Sequence, residues 1–275
     1  MSTSVDQAFI KQYESEVKLA YQRMGSMLRN FCRTSTKSPG ADITFPVIGK
    51  GAATTKARHA EVAAMNLLHT PKLCTLEDWY APEYIDKLDQ LKTNVELREP
   101  YARSSAYALG RKTDELIVTG VEVGTNTTSI NLSAITSLAM AQWMARIWTR
   151  DVPNGDGQTV AVVSPAVWAK LMSLQEFSNS QWIGPDDLPF KSRVQGKYWA
   201  GGMWVSYTGL NGAVTAKRCQ AWHRDSIGHG IGADVTTEIN YIPEKVSNLV
   251  NSFMSQGSVL IDNDGVEELI VNESA

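Results

Sequence analysis

The residues with the most obvious chemical potential lie near position 228, where Gly228-His229-Gly230-Ile231-Gly232-Ala233 matches the relaxed dinucleotide fingerprint Gly-x-Gly-x-x-Ala. Such a loop holds a pyrophosphate only when a long helix follows and turns its N-terminal N–H groups toward the phosphates. Here Asp234-Val235-Thr236-Thr237 and a strand pattern follow, so nucleotide binding is not expected. His223, Asp225 and His229, with His59 or His69, offer imidazole and carboxylate ligands, but their spacing matches no zinc signature and the histidines read as structural. Asp262 and Asp264 lack the remaining ligands of a calcium loop. Asp262-Asn263-Asp264-Gly265 instead predicts a hairpin turn between the last two strands, because Asp-Gly supplies a positive φ. No Gly-x-Ser-x-Gly elbow, Walker loop or Cys/His pairing occurs, so no catalytic, cofactor or metal residue is predicted. A site assembled from residues distant in sequence stays open.

The remaining reactive groups are charges. Lys50, Lys56, Arg58 and His59 cluster in and just after Gly49-Lys50-Gly51-Ala52-Ala53-Thr54-Thr55-Lys56, which reads as a flexible tip. They are either a solvated basic loop or ion-pairing groups for an adjacent subunit. Two extended runs carry that tip. Ile43 to Ile48 alternates like a strand, and a second stretch, roughly 61–75, returns. An isolated hairpin is marginal in water, so one this long predicts that neighbours hold it.

Behind the tip stands a helix predicted over 98–121, preceded by a shorter one over 82–92. Ala102, Ala106, Leu109, Thr113, Leu116, Ile117 and Gly120 share one face, while Arg98, Arg103, Arg111, Lys112, Asp114 and Glu115 are expected to stay wet. Pro100 fits in its first turn. At the N-terminus Phe9, Tyr13, Val17, Ala20, Tyr21, Met24 and Met27 recur at three and four, an amphipathic helix with no partner helix beside it in sequence. Such an arm either starts a compact domain or lies on another subunit.

Gly124 to Thr128 reads as a turn and domain boundary, and Asn131 or Ser133 as the cap of a helix ending near Trp148. Thr159 to Val163 is an apolar strand, and Ser164-Pro165 opens a helix to about Phe177. Lys197 to Thr208 resembles two strands around Gly201-Gly202. Lys217 to His223 is a strand, 224–232 a short helix or loop, and β-type patterns run from Thr236 to Val271.

A chain of 275 residues with net charge −3 can bury a substantial core and has no overall pull toward nucleic acid or anionic lipid. Three widely spaced cysteines argue against a disulfide framework and predict reduced thiols. The N-terminus lacks a signal-peptide pattern, and no apolar run nears the ~18 residues of a membrane span, so a soluble, unexported product without membrane contact is expected.

The order of parts resembles the major capsid proteins of tailed double-stranded DNA phages, with the fold named after phage Hong Kong 97. Gly49-Lys50-Gly51, Thr54 to His59 and Cys74 to Tyr80 look like the extended loop of that family. Ala106 to Glu115 looks like its spine helix, and Ala221 to Gly228 with Gly257 to Val266 like its C-terminal return. The resemblance implies an α+β, HK97-like capsid fold divided into an N-terminal arm (1–36), a long two-stranded extended loop (37–80), a peripheral domain with the spine helix (81–129), a central α/β axial domain (130–235) and return strands (236–275). It implies a structural, non-enzymatic subunit without cofactor, forming hexamers and pentamers of an icosahedral head that encloses double-stranded DNA without sequence-specific binding. Scaffolding, portal and decoration proteins are the implied partners, and the virion capsid, assembled in the host cytoplasm, the implied location. The candidate inter-subunit contacts are Lys50, Lys56, Arg58, Phe9, Tyr13 and Val17. The chain opens directly on the arm, so no fused scaffolding segment is expected, and no Lys–Asn crosslinking pair is recognisable. An encapsulin-type nanocompartment shell is the nearest alternative, and a soluble oligomeric α/β enzyme a more distant one.

Overall fold

The computed structural model describes residues 25–36, 40–88, 98–178 and 196–274. The described residues fall into two compact units. The larger takes in 26–77, 112–232 and 255–274; the smaller takes in Gly25, 78–111 and 233–254.

The larger unit is built on a six-stranded sheet of β5 (Thr127–Asn131), β12 (Val266–Asn272), β9 (Lys217–His223), β6 (Thr159–Val163), β8 (Gly202–Ser206) and β7 (Gly196–Trp199), in that order. Every residue of β6 is buried, as its unbroken Thr-Val-Ala-Val-Val run demands of a strand covered on both faces. Helix α2 (Ser137–Trp148) contributes Met140, Trp143, Met144 and Ile147 to the core, and α3 (Pro165–Met172) contributes Val167 and Leu171. Ser164 caps α3 by accepting from Val167 N–H at 3.3 Å, with Pro165 in the first turn. Trp143, Trp204, Trp199, Phe177 and Trp168 then meet edge to face or tilted at 5.4–5.7 Å between centroids, which accounts for much of the tryptophan in the chain.

The second sheet has the order β1 (Arg33–Thr36), β10 (Ile227–Ile242), β11 (Ser247–Leu260), β4 (Glu77–Asp86). Within the larger unit β1 pairs in parallel with Gly228 to Ile231 of β10. Within the smaller unit residues 247–254 of β11 lie between residues 233–242 of β10 and strand β4. Helix α1 (Arg98–Glu122) continues from the smaller unit into the larger.

Four expectations are corrected. Residues 82–86 belong to strand β4, not a helix; Lys87 and Leu88 are helical, as expected, and residues 89–92 lie outside the described ones. Thr127 to Asn131 form β5, and Thr136 rather than Asn131 or Ser133 caps α2, accepting from Ala139 N–H at 3.2 Å. Strand β10 already begins at Ile227, inside the stretch read as helix or loop. The Asp262–Gly265 segment is a short 3₁₀ turn that passes the chain from one sheet to the other. It makes no hairpin: β11 lies beside β10 and β4, whereas β12 lies between β5 and β9.

Candidate assembly surface

A two-stranded ribbon projects from the larger unit's sheet. Strands β2 (Asp42–Ile48) and β3 (His69–Thr75) pair antiparallel from Asp42 opposite Thr75 to Ile48 opposite His69. Pro46 faces Pro71, a pairing without donors that suits a ribbon with two free edges. Alternation turns Ile43 and Phe45 inward, where they form a small core with Cys74 and Ile261.

The glycine motif of β10 is the seat of this ribbon. Gly228, Gly230 and Gly232 fall on alternate positions, hence on one face of the strand. A Cβ at Gly228 would stand 2.8 Å from the Phe45 ring, one at Gly230 3.1 Å from Cys74 Sγ and Ile43 Cδ1, and one at Gly232 2.8 Å from Leu76 Cδ1. Gly257 of β11 lies equally close under the Thr75 carbonyl. The Gly-x-Gly-x-Gly pattern therefore serves close approach of a second layer, not a phosphate.

Beyond the seat, residues 49–68 are exposed throughout, and they form no strand. The stretch presents Val62 (76 % exposed), Leu68 (73 %), Met65 and Leu67, beside Ile48 and Leu73 of the strands. Lys56 and Arg58 are exposed there and form no ion pair among the described residues. Lys50 is placed differently: its Nζ meets Asp264 Oδ2 of its own chain at 3.0 Å, the Arg150 carbonyl at 3.2 Å and Asp151 at 3.9 Å. Hydrogen bonding to Asp264 raises its pKa, so it stays charged. Phe9, Tyr13 and Val17 lie outside the described residues.

The point where the arm enters the body is held by a residue the sequence reading misplaced. Asp114 of α1 is fully buried, not wet. Its carboxylate accepts from Ser26 Oγ at 2.6 Å and from the backbone N–H groups of Met27 and Leu28 at 3.0 Å. The signal was present in the spacing: Gly110, Asp114, Ile117, Val118 and Val121 repeat at three and four on one buried face. A carboxylate on such a stripe must find donors.

Two further buried carboxylates lie next to each other in β12. Glu267 accepts from Arg150 at 2.8 Å and from Thr128 Oγ1 at 2.9 Å. Glu268 is gripped by Arg218 through Nε at 2.5 Å and Nη2 at 2.8 Å, and Arg218 also approaches Glu122 at 3.6 Å. Among the histidines, His223 Nε2 bonds Asp156 at 2.8 Å, and its Nδ1 accepts from Asp225 N–H at 3.3 Å. Burial pushes the Asp156 carboxyl up, but the bonds from His223 and Gln158 outweigh it and hold the group below the ordinary carboxylate value. Among the described residues no three His, Cys, Asp or Glu side chains converge on a metal position, and no helix is long and apolar enough to cross a membrane.

A body with a firmly seated ribbon, whose far end displays apolar and basic side chains that the chain itself does not cover, has the build of a subunit that packs into a shell. The model of the phage capsid protein family matches residues 5–273, and the chain belongs to that family. It is a structural protein of the phage capsid, not an enzyme. Its solved structural relatives include the capsid of cyanophage P-SCSP1u, with TM-score 0.77 and 15 % identity over 98 % of this chain and 95 % of that one. A chain of Mycobacterium phage Che8 gives 0.72 and 19 % over 97 % and 98 %, and the capsid of Ralstonia phage GP4 gives 0.70 and 14 % over 98 % of each. The shared architecture is the α+β, HK97-like capsid fold. No curated protein sequence matches the chain.

Proposed function

We propose that this chain assembles with copies of itself, as hexamers and pentamers, into an icosahedral head that encloses double-stranded DNA, and that it does so in the host cytoplasm. The observation that carries the proposal is the ribbon tip. A family member whose residues 49–68 leave Val62, Met65, Leu67 and Leu68 in water gains by covering them, at roughly 25 cal/mol per Å² of apolar surface removed. Sister copies are the partner that a shell supplies at every such tip. Lys56 and Arg58 are ion-pairing groups for carboxylates of that neighbour. Of the arm, 1–36, the part before Ser26 is the second inter-subunit segment, through Phe9, Tyr13 and Val17, while residues 26–36 are held by their own subunit. Residues 130–235 form the axial domain around the capsomer axis, together with β5 and β12 of their sheet, and the rest of 81–129 and 236–275 the peripheral domain.

The net charge of −3 suits a container, since a shell that gripped phosphates with many cations would bind DNA tightly and with strong salt dependence. Scaffolding, portal and decoration proteins are the further partners of this reading. Electron microscopy of the expressed chain, alone and with proteins encoded beside it, tests it: closed shells with six- and five-fold capsomers are expected. Material that stays monomeric in both preparations, with tip and arm folded onto their own subunit, would overturn it.

A further inference from the structure

Between residues 49 and 68 the ribbon tip is tied to the rest of the larger unit at one side chain. Its other hydrogen bonds, Gly49 N–H to the Leu68 carbonyl and Ala60 N–H to the Ala57 carbonyl, are internal to the ribbon. Among the described residues Lys50 alone reaches out, to Asp264 in the turn before β12, to the Arg150 carbonyl just past α2, and toward Asp151. Asp262 adds a more distant favourable charge, and Arg150 is occupied by Glu267 and by the Asp264 carbonyl. The recess around Lys50 is thus acidic and preformed: Asp264 is oriented by its own turn, where the Asp262 side chain accepts from Asp264 N–H at 2.9 Å.

We infer that Lys50 is a latch: it holds the tip of the extended loop against its own subunit through Asp264, and it yields when a sister copy engages the tip. The second half rests on the assembly reading above; the first does not. A latch must be weak enough to exchange, and this one is. Lys50 is 66 % exposed and Asp264 42 %, so water and salt compete with the pair at all times. The seat, by contrast, is buried and does not exchange, so release turns the tip about Ile48–Gly49 and Leu68–His69 and leaves β2 and β3 in place.

Distances between spin labels test this directly. Labels at Ala53→Cys on the tip and Ala169→Cys on α3 are introduced in the full chain, whose three native cysteines are buried, and diluted with unlabelled chain so that only intrachain distances register. A narrow distribution at low salt is expected for the otherwise native chain. Lys50→Met, Asp264→Asn, and salt of about 1 M should each lower the narrow population about two- to fivefold. Lys50→Arg, which keeps the cation facing Asp264, Asp151 and the Arg150 carbonyl, should hold the narrow population near the native level. Identical distributions for the native chain and Lys50→Met, or a loss in Lys50→Arg as large as in Lys50→Met, would overturn the latch. In assembled particles the distance should change; an unchanged one would overturn release on assembly. Shell formation is scored separately, and its absence alongside a salt-sensitive distance would remove the assembly reading while the latch stood.

Discussion

Asp114 fixes residues 26–28 to the body, because one carboxylate at the middle of α1 satisfies three donors from Ser26, Met27 and Leu28. Asp114→Ala strands two buried N–H groups and a hydroxyl, and should cost about 3 kcal/mol in urea unfolding. Asp114→Asn, which keeps one acceptor oxygen, should cost about half of that. The thiols give a residue-level prediction in pH. Burial pushes Cys32 and Cys219 up to about 12 from an ordinary 9.0. Below pH 9 each is protonated folded or unfolded and its contribution is fully present. Between 9 and 12 only the unfolded chain ionises, so stability falls as pH rises, by about 1.4 kcal/mol per pH unit for each thiol. In the Cys32→Ala, Cys219→Ala variant that slope should shrink by the share of the two thiols in a denaturation series between pH 8 and 11, Cys74, which burial also raises, keeping part of it; an unchanged slope would refute the assignment. Reduced thiols were readable from cysteine spacing alone, whereas their burial was not, since spacing says nothing about depth.

At the scale of elements, the seat of the ribbon rests on missing side chains. Gly228→Ala places a methyl 2.8 Å from a Phe45 ring already packed with Ile43 and Ile261, so the ribbon or the strand must shift. The expected cost is about 1–3 kcal/mol, with faster proteolysis across 40–75, and Phe45→Leu in the same chain should recover part of it. The Gly-x-Gly-x-Gly string was legible as something other than a nucleotide loop, because no helix follows it. What it did instead was not legible, because the residues that press on it stand more than 150 positions earlier. The same non-locality explains β4. Pro82 and Ile85 fit a helical spacing, but pairing with β11 holds them in a strand and helical backbone begins only at Lys87; Pro82 is tolerated because β4 is the edge of its sheet. Asp262–Gly265 failed as a hairpin for a related reason. Gly265 is there to let Ser226 approach, not to supply a positive φ, and the strand after it belongs to another sheet. Helix α1 and strands β6 and β9 were legible because their periodicity is complete within a single segment.

For the whole molecule, stability and assembly should separate at Lys56 and Arg58. Both are exposed, and neither forms an ion pair among the described residues, so the folded subunit gains nothing measurable from their charge. If they pair with a sister copy's carboxylates, reversing them turns attraction into repulsion at every interface of a shell, and the penalty repeats with each added subunit. Lys56→Glu with Arg58→Glu should therefore leave the subunit's thermal midpoint within a degree or so while raising the concentration needed for shell formation about fivefold or more. Salt separates this from a packing defect, because screening weakens repulsion as well as attraction: the gap between variant and native chains should narrow toward about 1 M salt. Sedimentation velocity across a concentration series reads the assembly threshold, and scanning calorimetry below that threshold the midpoint. A variant that assembles at the native threshold would show that the apolar row of Val62, Met65, Leu67 and Leu68 carries the contact by itself. The basic cluster would then be a solvated rim, the other reading that its composition allows.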